Sequence, residues 1–231
     1  MRKQIPNILT LANLFSGCIA VSMAFQHNFY AVALWVAAAA AFDFLDGTAA
    51  RALKAYSPLG KELDSLADVV SFGVAPASAV FILLRNYALF PPFQEEHFRV
   101  LINYAAFIIP VFTAYRLAKF NIDERQATTF RGLPAPANGL FWVSYCYGME
   151  KALSSSPYAV LFSYLTLALI VSAALLMVSE MPMFSLKIKK IAFKGNERPI
   201  ILAFLMILLV ALLGVGGVAW GIVAYILLSV K

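Results

Sequence analysis

The chain has 231 residues, of which 62% are hydrophobic and only 13% are charged, and its mean hydropathy is +0.80. A soluble domain of this length could not enclose so much apolar surface, so the composition excludes ordinary soluble proteins and indicates a polytopic membrane protein. The net charge of +6 is spread over short loops, which favours anionic lipid headgroups over nucleic acid as binding partners.

Apolar segments recur along the whole chain at the length of a membrane-spanning helix, which is about 20 residues. We predict an all-α transmembrane helical bundle, one membrane domain over residues 1–231, with a core near 6–180 and a C-terminal helical hairpin near 199–230. The last two spans are short, so they form either a hairpin or one broken helix. The sequence predicts about eight spans, near residues 8–26, 29–53, 60–85, 98–120, 135–151, 157–179, 199–213 and 215–230.

Basic residues are distributed very unevenly between the two sides that these spans define. The side of both termini receives 15 lysines and arginines, whereas the other side receives three, namely Arg85, Arg99 and Lys151. Because cytoplasmic loops carry the excess of basic residues, we predict a multi-pass protein of the cell (inner) membrane with both termini in the cytoplasm. The basic cluster between Lys187 and Arg198 is expected to bind anionic headgroups at the membrane surface.

Four aspartates lie inside segments that are otherwise apolar enough to span lipid. A charged residue at the bilayer centre costs about 2.5–3.5 kcal/mol on insertion scales, so it persists where it is paired, solvated or bound to a metal. Asp43 and Asp46 share one helix face, and Asp64 and Asp68 share another. If residues 52–59 form a turn between two antiparallel helices, Asp46 lies opposite Asp64 and Asp43 lies opposite Asp68.

Carboxylates gathered in this way would repel one another strongly without cations. Oxygen ligands at this density suit Mg²⁺, Mn²⁺ or Ca²⁺, and they are compatible with a two-metal centre. Gly47, Ala50 and Gly60 fall on the same helix faces and leave a notch for a flat or phosphorylated ligand. Buried aspartates alone could also form a cation pathway or pair two helices, whereas Arg51, about one turn from Asp46, favours phosphate chemistry.

These residues match the signature D-x-x-D-G-x-x-A-R-x8-G-x-x-x-D-x-x-x-D at every defined position, and the chain therefore resembles the CDP-alcohol phosphatidyltransferases. The resemblance implies transfer of a phosphatidyl group from a CDP-lipid to an alcohol, assisted by two divalent ions, Mg²⁺ or Mn²⁺. It further implies that Asp68 is the general base as well as a metal ligand. The implied metal ligands are Asp43, Asp46, Asp64 and Asp68, and the implied nucleotide contacts are Gly47, Ala50, Arg51 and Gly60.

Segments 6–17, 115–121, 130–137, 176–179 and 185–187 resemble the bacterial and archaeal branch of this family that makes phosphatidylserine. This resemblance implies that the substrates are CDP-diacylglycerol and L-serine and that the enzyme is a homodimer. Asn7 and Thr10 are candidate nucleotide contacts, although proline at position 6 followed by Asn7 is also a common way to begin a helix. The alternatives are another acceptor, such as glycerol phosphate or inositol, and, from a different class, a cation transporter.

Three basic residues near one polar loop are candidates for binding the acceptor. Arg116 and Lys119 precede the loop and Arg131 follows its polar part. Serine carries a carboxylate, which arginine can bind through two parallel hydrogen bonds. The other interpretation is that these side chains only extend to the membrane interface. We therefore predict that Arg116, Lys119 and Arg131 contact the acceptor carboxylate or a phosphate.

Overall fold

The structure is a computed structural model, and it describes residues 4–90, 96–122, 130–155, 157–184 and 196–229. These residues are almost entirely helical, as predicted. Three turns of other pitch interrupt the helices, a π-helix at Val69–Val74 and 3₁₀ turns at Tyr104–Phe107 and Gly214–Gly216. The helices are α1 (Ile5–Phe25), α2 (Phe29–Ala52), α3 (Pro58–Asp68), α4 (Ala75–Tyr87), α5 (Glu96–Asn103), α6 (Ile108–Ile122), α7 (Ala135–Ser155), α8 (Ala159–Val178), α9 (Glu197–Leu213) and α10 (Gly217–Ser229).

Side chains before α2 and α3 fix where these helices begin. The Asn28 side chain accepts a hydrogen bond from the backbone N–H of Ala31 at 3.0 Å, and the Ser57 side chain accepts one from that of Gly60 at 3.0 Å. Pro58 occupies the first turn of α3, where backbone N–H groups have no acceptor within the helix, so proline costs no hydrogen bond there. The connection from Ala52 to Pro58 is short, and both α2 and α3 pack against α1.

Six helical segments among the described residues are long and apolar enough to cross a membrane, so the chain is a multi-pass membrane protein. The predicted count of about eight spans is not confirmed. The α7 helix is not among the six segments, and residues 197–229 form one of the six rather than two. The α7 helix packs against α2, α4, α8 and α10, so much of its surface meets protein rather than lipid. The six segments are Ile5–Phe25, Phe29–Ala52, Pro58–Tyr87, Val100–Ile122, Ala159–Val178 and Glu197–Ser229.

The last two helices fold back on each other. Gly217 lies directly against the backbone of Leu209, and Gly221 lies against the thioether of Met206. Residues eight and fifteen positions apart would be far from each other in a continuous helix, which rises about 1.5 Å per residue. Residues 197–229 therefore form a hairpin rather than one broken helix, and its α10 arm packs on α7.

The segment Pro58–Tyr87 is the most enclosed of the six candidate spans. Its π-helical turn contacts α1, α6 and α7, and glycines permit the close approach of these helices. Gly17 of α1 lies against Ser71, and Gly139 of α7 lies against Phe72. The aspartates at the start of this segment are therefore attached to the most firmly packed element of the bundle.

Replacing Gly17 by alanine is expected to lower the Tm of the purified protein. The added Cβ would lie 2.8 Å from the Cα of Ser71, and backbone cannot move away as a flexible side chain can. Overpacking of this kind costs about 1–3 kcal/mol. The matched control is Gly148→Ala, because a Cβ there would meet nothing within 4 Å. Equal Tm values for the two variants would contradict the tight contact between α1 and the π-helical turn.

Two predicted loops fall mostly outside the described residues. Residues 123–129 belong to the polar loop before Arg131, and Lys187, Lys189, Lys190 and Lys194 belong to the predicted headgroup-binding cluster. The lipid contacts of those lysines stay a prediction. Arg198, the last residue of the cluster, is exposed in the first turn of α9.

Candidate active site

Three aspartates from two helices converge in the structure. Asp43 of α2 and Asp64 and Asp68 of α3 each offer a carboxylate oxygen, and these atoms lie within 4.8 Å of one another. Asp46, one turn along α2, lies within electrostatic range of all three. The predicted gathering of four carboxylates between the two helices thus agrees with the geometry. Like charges at this distance repel unless protons or cations neutralise them.

The first helix supplies hydrogen bonds to two of these carboxylates. The Thr10 hydroxyl donates to Asp46 Oδ2 at 2.6 Å, and the Asn13 amide donates to Asp68 Oδ1 at 3.1 Å. The sequence predicts Thr10 as a nucleotide contact, whereas it assigns Asn13, a candidate in the same helix, no contact. The signal that could have identified Asn13 is its spacing of three from Thr10, which places two polar side chains on one face of an apolar helix.

The donor set fits a divalent cation. Its members are carboxylate oxygens, which Mg²⁺ and Mn²⁺ prefer. Asp64 Oδ1 is buried and receives no hydrogen bond from any described residue. A buried acceptor without a partner is costly, by about 1–3 kcal/mol, and a cation would supply the missing partner. The aspartate cluster could therefore hold a metal ion.

A cavity of about 530 Å³ opens beside the aspartates, between α1, the end of α2 and the start of α3. This volume is in the range of small-ligand sites, which is about 300–1,000 Å³. Its wall is smooth at Gly60, where an added Cβ would lie 3.1 Å from Asn7 Oδ1. The cavity brings together most of the predicted nucleotide contacts, since its lining includes Asn7, Thr10, Asp46, Gly47, Ala50, Gly60 and Asp64.

Arg51 lies at the edge of this cavity rather than in its lining. Its guanidinium donates to the Thr48 hydroxyl at 3.1 Å, and its Nη1 would lie 3.4 Å from a Cβ added at Gly47. The side chain is exposed, so it is accessible to a ligand in the cavity. A cation in this position is suited to a phosphate that extends from the cavity towards the aspartate carboxylates.

The three predicted acceptor-binding residues occupy two different environments. Arg116 of α6 is only 7% exposed, and its Nε atom has no hydrogen-bond partner among the described residues. It lies within electrostatic range of Asp68. Lys119 and Arg131 instead both contact one carboxylate, that of Glu180, with Lys119 Nζ at 2.9 Å from Oε1. Arg116 is therefore the cation of the three that lies within electrostatic range of the cluster, and the ion pairs formed among the described residues do not include it.

The hydrogen bonds from Lys119 and Arg131 hold the pKa of Glu180 down at about 2. Glu180 is thus ionised at neutral pH, where it is a charged partner for both cations. The carboxylate is half exposed, so solvent screening makes this pair of contacts a weak contribution to stability. Its importance is geometric, because it ties α6 to the segment that follows α8.

Comparison with known proteins identifies a family. The sequence model described as CDP-alcohol phosphatidyltransferase matches residues 3–181 of the chain. The match includes all four aspartates, the lining of the cavity and the three candidate acceptor cations. It ends before the α9–α10 hairpin.

Individual relatives carry a more specific name. The chain is similar to the CDP-diacylglycerol–serine O-phosphatidyltransferase of Bacillus subtilis, with 37% identity over 59% of this chain and 71% of the relative. It is 34% identical to the protein of that name from Methanocaldococcus jannaschii, over 71% of each chain. A third relative, from Mycobacterium tuberculosis H37Rv, is 33% identical over 59% of this chain, and the match spans 46% of that longer protein.

Proposed function

The chain belongs to the CDP-alcohol phosphatidyltransferase family, and from this membership we propose that it transfers a phosphatidyl group from CDP-diacylglycerol to L-serine, giving phosphatidylserine and CMP. The observation that carries the proposal is the convergence of Asp43, Asp64 and Asp68 beside a cavity large enough for part of a nucleotide. The choice of serine rests on the names of the similar proteins from Bacillus subtilis and Methanocaldococcus jannaschii.

In the proposed reaction the serine hydroxyl attacks the phosphatidyl phosphorus directly. The new O–P bond forms as the bond between this phosphorus and the bridging oxygen of CMP breaks, and CMP leaves with the electron pair. Asp68 accepts the hydroxyl proton, because an alcohol is a weak nucleophile until a base removes its proton. Asn13 holds one oxygen of Asp68 at 3.1 Å, which keeps the carboxylate oriented. A labelled phospho-enzyme trapped without serine would contradict direct attack.

The nucleotide portion is proposed to occupy the cavity, with its base against Gly47, Ala50 and Gly60 and with Arg51 near a phosphate. Asn7 and Thr10 line the same cavity from α1. Asp43, Asp46, Asp64 and Asp68 are the residues that would hold Mg²⁺ or Mn²⁺, as two ions. When bound there, the metal would neutralise the diphosphate charge and polarise the leaving group.

Arg116 is the proposed partner of the serine carboxylate. The guanidinium is buried, has no hydrogen-bond partner at Nε among the residues that the structure describes, and lies in electrostatic range of Asp68, the proposed base. An acceptor bound there through its carboxylate would bring its hydroxyl towards Asp68. Lys119 and Arg131 are proposed to contact the acceptor or a lipid phosphate from the Glu180 side of the site.

The location of the site is also a proposal. The excess of basic residues on the side of both termini supports a cytoplasmic site in the cell (inner) membrane, where water-soluble serine meets a lipid substrate. A homodimer is proposed from the family resemblance alone.

One assay tests the proposed function. Purified protein is mixed with CDP-diacylglycerol, Mn²⁺ or Mg²⁺ and one alcohol from a panel of serine, glycerol phosphate and inositol, and CMP release is measured. We expect release with serine and none after chelation of the metal by EDTA. Release with glycerol phosphate or inositol instead of serine would overturn serine as the acceptor. If CMP were released with none of the alcohols, the proposed phosphatidyl transfer would be overturned.

Replacing Gly60 by valine is expected to raise the KM for CDP-diacylglycerol at least about tenfold, an effect of about 1.4 kcal/mol. Even the first carbon of the new side chain would lie 3.1 Å from both Asn7 Oδ1 and Ser57 Oγ, so the bulk must enter the cavity. The KM for serine should stay near that of the wild type, since the serine site is proposed near Arg116. Initial-rate kinetics with each substrate varied in turn measure both values.

The control for this variant is Gly148→Val in α7, where a Cβ would meet nothing within 4 Å. Its KM for CDP-diacylglycerol should match that of the wild type. If Gly60→Val also left this KM unchanged, the nucleotide would have to bind elsewhere.

A further inference from the structure

The C-terminal hairpin reaches the edge of the candidate site although the family match ends at residue 181. Tyr225 of α10 is only 4% exposed, and its hydroxyl donates a hydrogen bond to the backbone oxygen of Phe184 at 3.1 Å. The two rings also pack edge to face, with centroids 5.0 Å apart. A buried tyrosine is thus attached by both its ring and its hydroxyl to the segment that follows α8.

That segment, residues 179–184, is called the strap here because it crosses the cation-rich edge of the site. Two short strands, Pro182–Met183 of the strap and Phe130–Arg131, form an antiparallel sheet. Next to it, the Gly132 N–H donates to the Met181 backbone oxygen at 2.9 Å. Glu180 of the strap holds both Lys119 and Arg131. The position of the strap therefore determines where these two cations lie.

The same tyrosine also lies near the third cation. Arg116 is within electrostatic range of Tyr225 as well as of Asp68. Tyr225 of the α9–α10 hairpin is thus placed against the strap and within electrostatic range of Arg116. A hydroxyl that fixes the strap in this place limits the geometry of all three candidate acceptor-binding side chains.

We propose that Tyr225 is a positioning residue for the acceptor alcohol, acting through the strap on Lys119 and Arg131 and directly beside Arg116. The inference rests on the proposed function in assuming that these cations meet an acceptor with an anionic group. It goes beyond that function in making the hairpin, which no part of the family match covers, a component of the acceptor site. Tyr225 itself does not take part in proton transfer.

The test is Tyr225→Phe, which removes the hydroxyl and keeps the ring contact with Phe184. We expect the KM for the acceptor to rise about fivefold, the effect of one lost hydrogen bond, while kcat and the KM for CDP-diacylglycerol stay within about twofold of the wild type. The control is Tyr145→Phe, which removes a partly buried hydroxyl, bonded to Thr166 at 2.7 Å, beside a second cavity. Its kinetic constants should not change.

A second measurement does not depend on turnover. Amide hydrogen exchange of Gly132, whose N–H donates to the strap, should accelerate about fivefold in Tyr225→Phe and stay unchanged in Tyr145→Phe. An unchanged acceptor KM in an active enzyme, or a fall in kcat alone, would overturn the proposal. Unchanged exchange would overturn it whether or not the protein turns over.

The two proposals fail in different ways. If the wild type releases CMP with glycerol phosphate rather than serine, the KM is measured with that alcohol, and only the choice of serine is lost. If no alcohol supports release, the proposed function is lost, and the exchange of Gly132 still decides whether Tyr225 positions the strap.

Discussion

Replacement of Asp68 by asparagine is expected to lower kcat for CMP release by about 10²–10⁴-fold, the usual contribution of a general base. The amide cannot accept the proton of the acceptor hydroxyl, and it is a weaker metal ligand than a carboxylate. Its oxygen can still accept the hydrogen bond that Asn13 donates to Asp68 Oδ1, so the fold should persist. The measurement is CMP release at saturating CDP-diacylglycerol, serine and Mn²⁺, with the Tm recorded for each preparation.

The matched control for this change lies on the same helix. Glu62 is an exposed acid of α3, two residues from Asp64 and away from the carboxylate cluster. Glu62→Gln removes the same charge and should leave kcat unchanged. Loss of a general base usually lowers kcat at least about 100-fold. If Asp68→Asn kept more than about a tenth of the wild-type kcat, the loss would be too small for a general base, and proton transfer would have to depend on another group.

The aspartate cluster could be predicted from the sequence because its physical basis is local. Carboxylates within apolar helices are costly, so their presence alone marks a site. The spacing of Asp43 from Asp46 and of Asp64 from Asp68 determines which helix face each pair occupies, and the short turn before Pro58 leaves one way for the faces to meet. The helix bounds were predictable for a similar reason, since apolar length is a local property.

Contacts between distant parts of the chain could not be predicted in this way. The π-helical turn Val69–Val74 interrupts a segment whose apolar pattern predicts one regular helix, and it lies where this segment contacts α1, α6 and α7. Lys119 and Arg131 pair with Glu180, which is far from both in sequence. The sequence predicts a membrane span near residues 135–151, and in the structure the α7 helix over this segment packs against α2, α4, α8 and α10. Hydropathy cannot distinguish lipid from protein as the surrounding medium.

Replacement of Arg116 by methionine is expected to raise the KM for serine about 30-fold or more, because removing one partner of a buried charged contact costs about 2–5 kcal/mol. The KM for CDP-diacylglycerol should change much less. The Tm of the variant should be no lower than that of the wild type. A buried guanidinium with an unpartnered Nε is a cost to the folded state, and methionine fills a similar space without that cost.

Two further variants define what is lost. Arg116→Lys keeps the charge but cannot make two parallel hydrogen bonds to a carboxylate, so its KM for serine should fall between those of the wild type and Arg116→Met. Arg85→Met removes an exposed arginine at the end of α4, and it should leave both KM values and the Tm unchanged.

The combination of KM and Tm distinguishes a ligand-binding cation from a structural one. If Arg116 served mainly as an ion-pair partner that stabilises Asp68 in the fold, its removal would leave a buried charge uncompensated and the Tm would fall sharply. If Arg116 instead binds the carboxylate of the acceptor, its removal stabilises the protein without ligand and weakens the complex with the acceptor. A higher KM for serine together with an unchanged or higher Tm is therefore the result that only the second role produces.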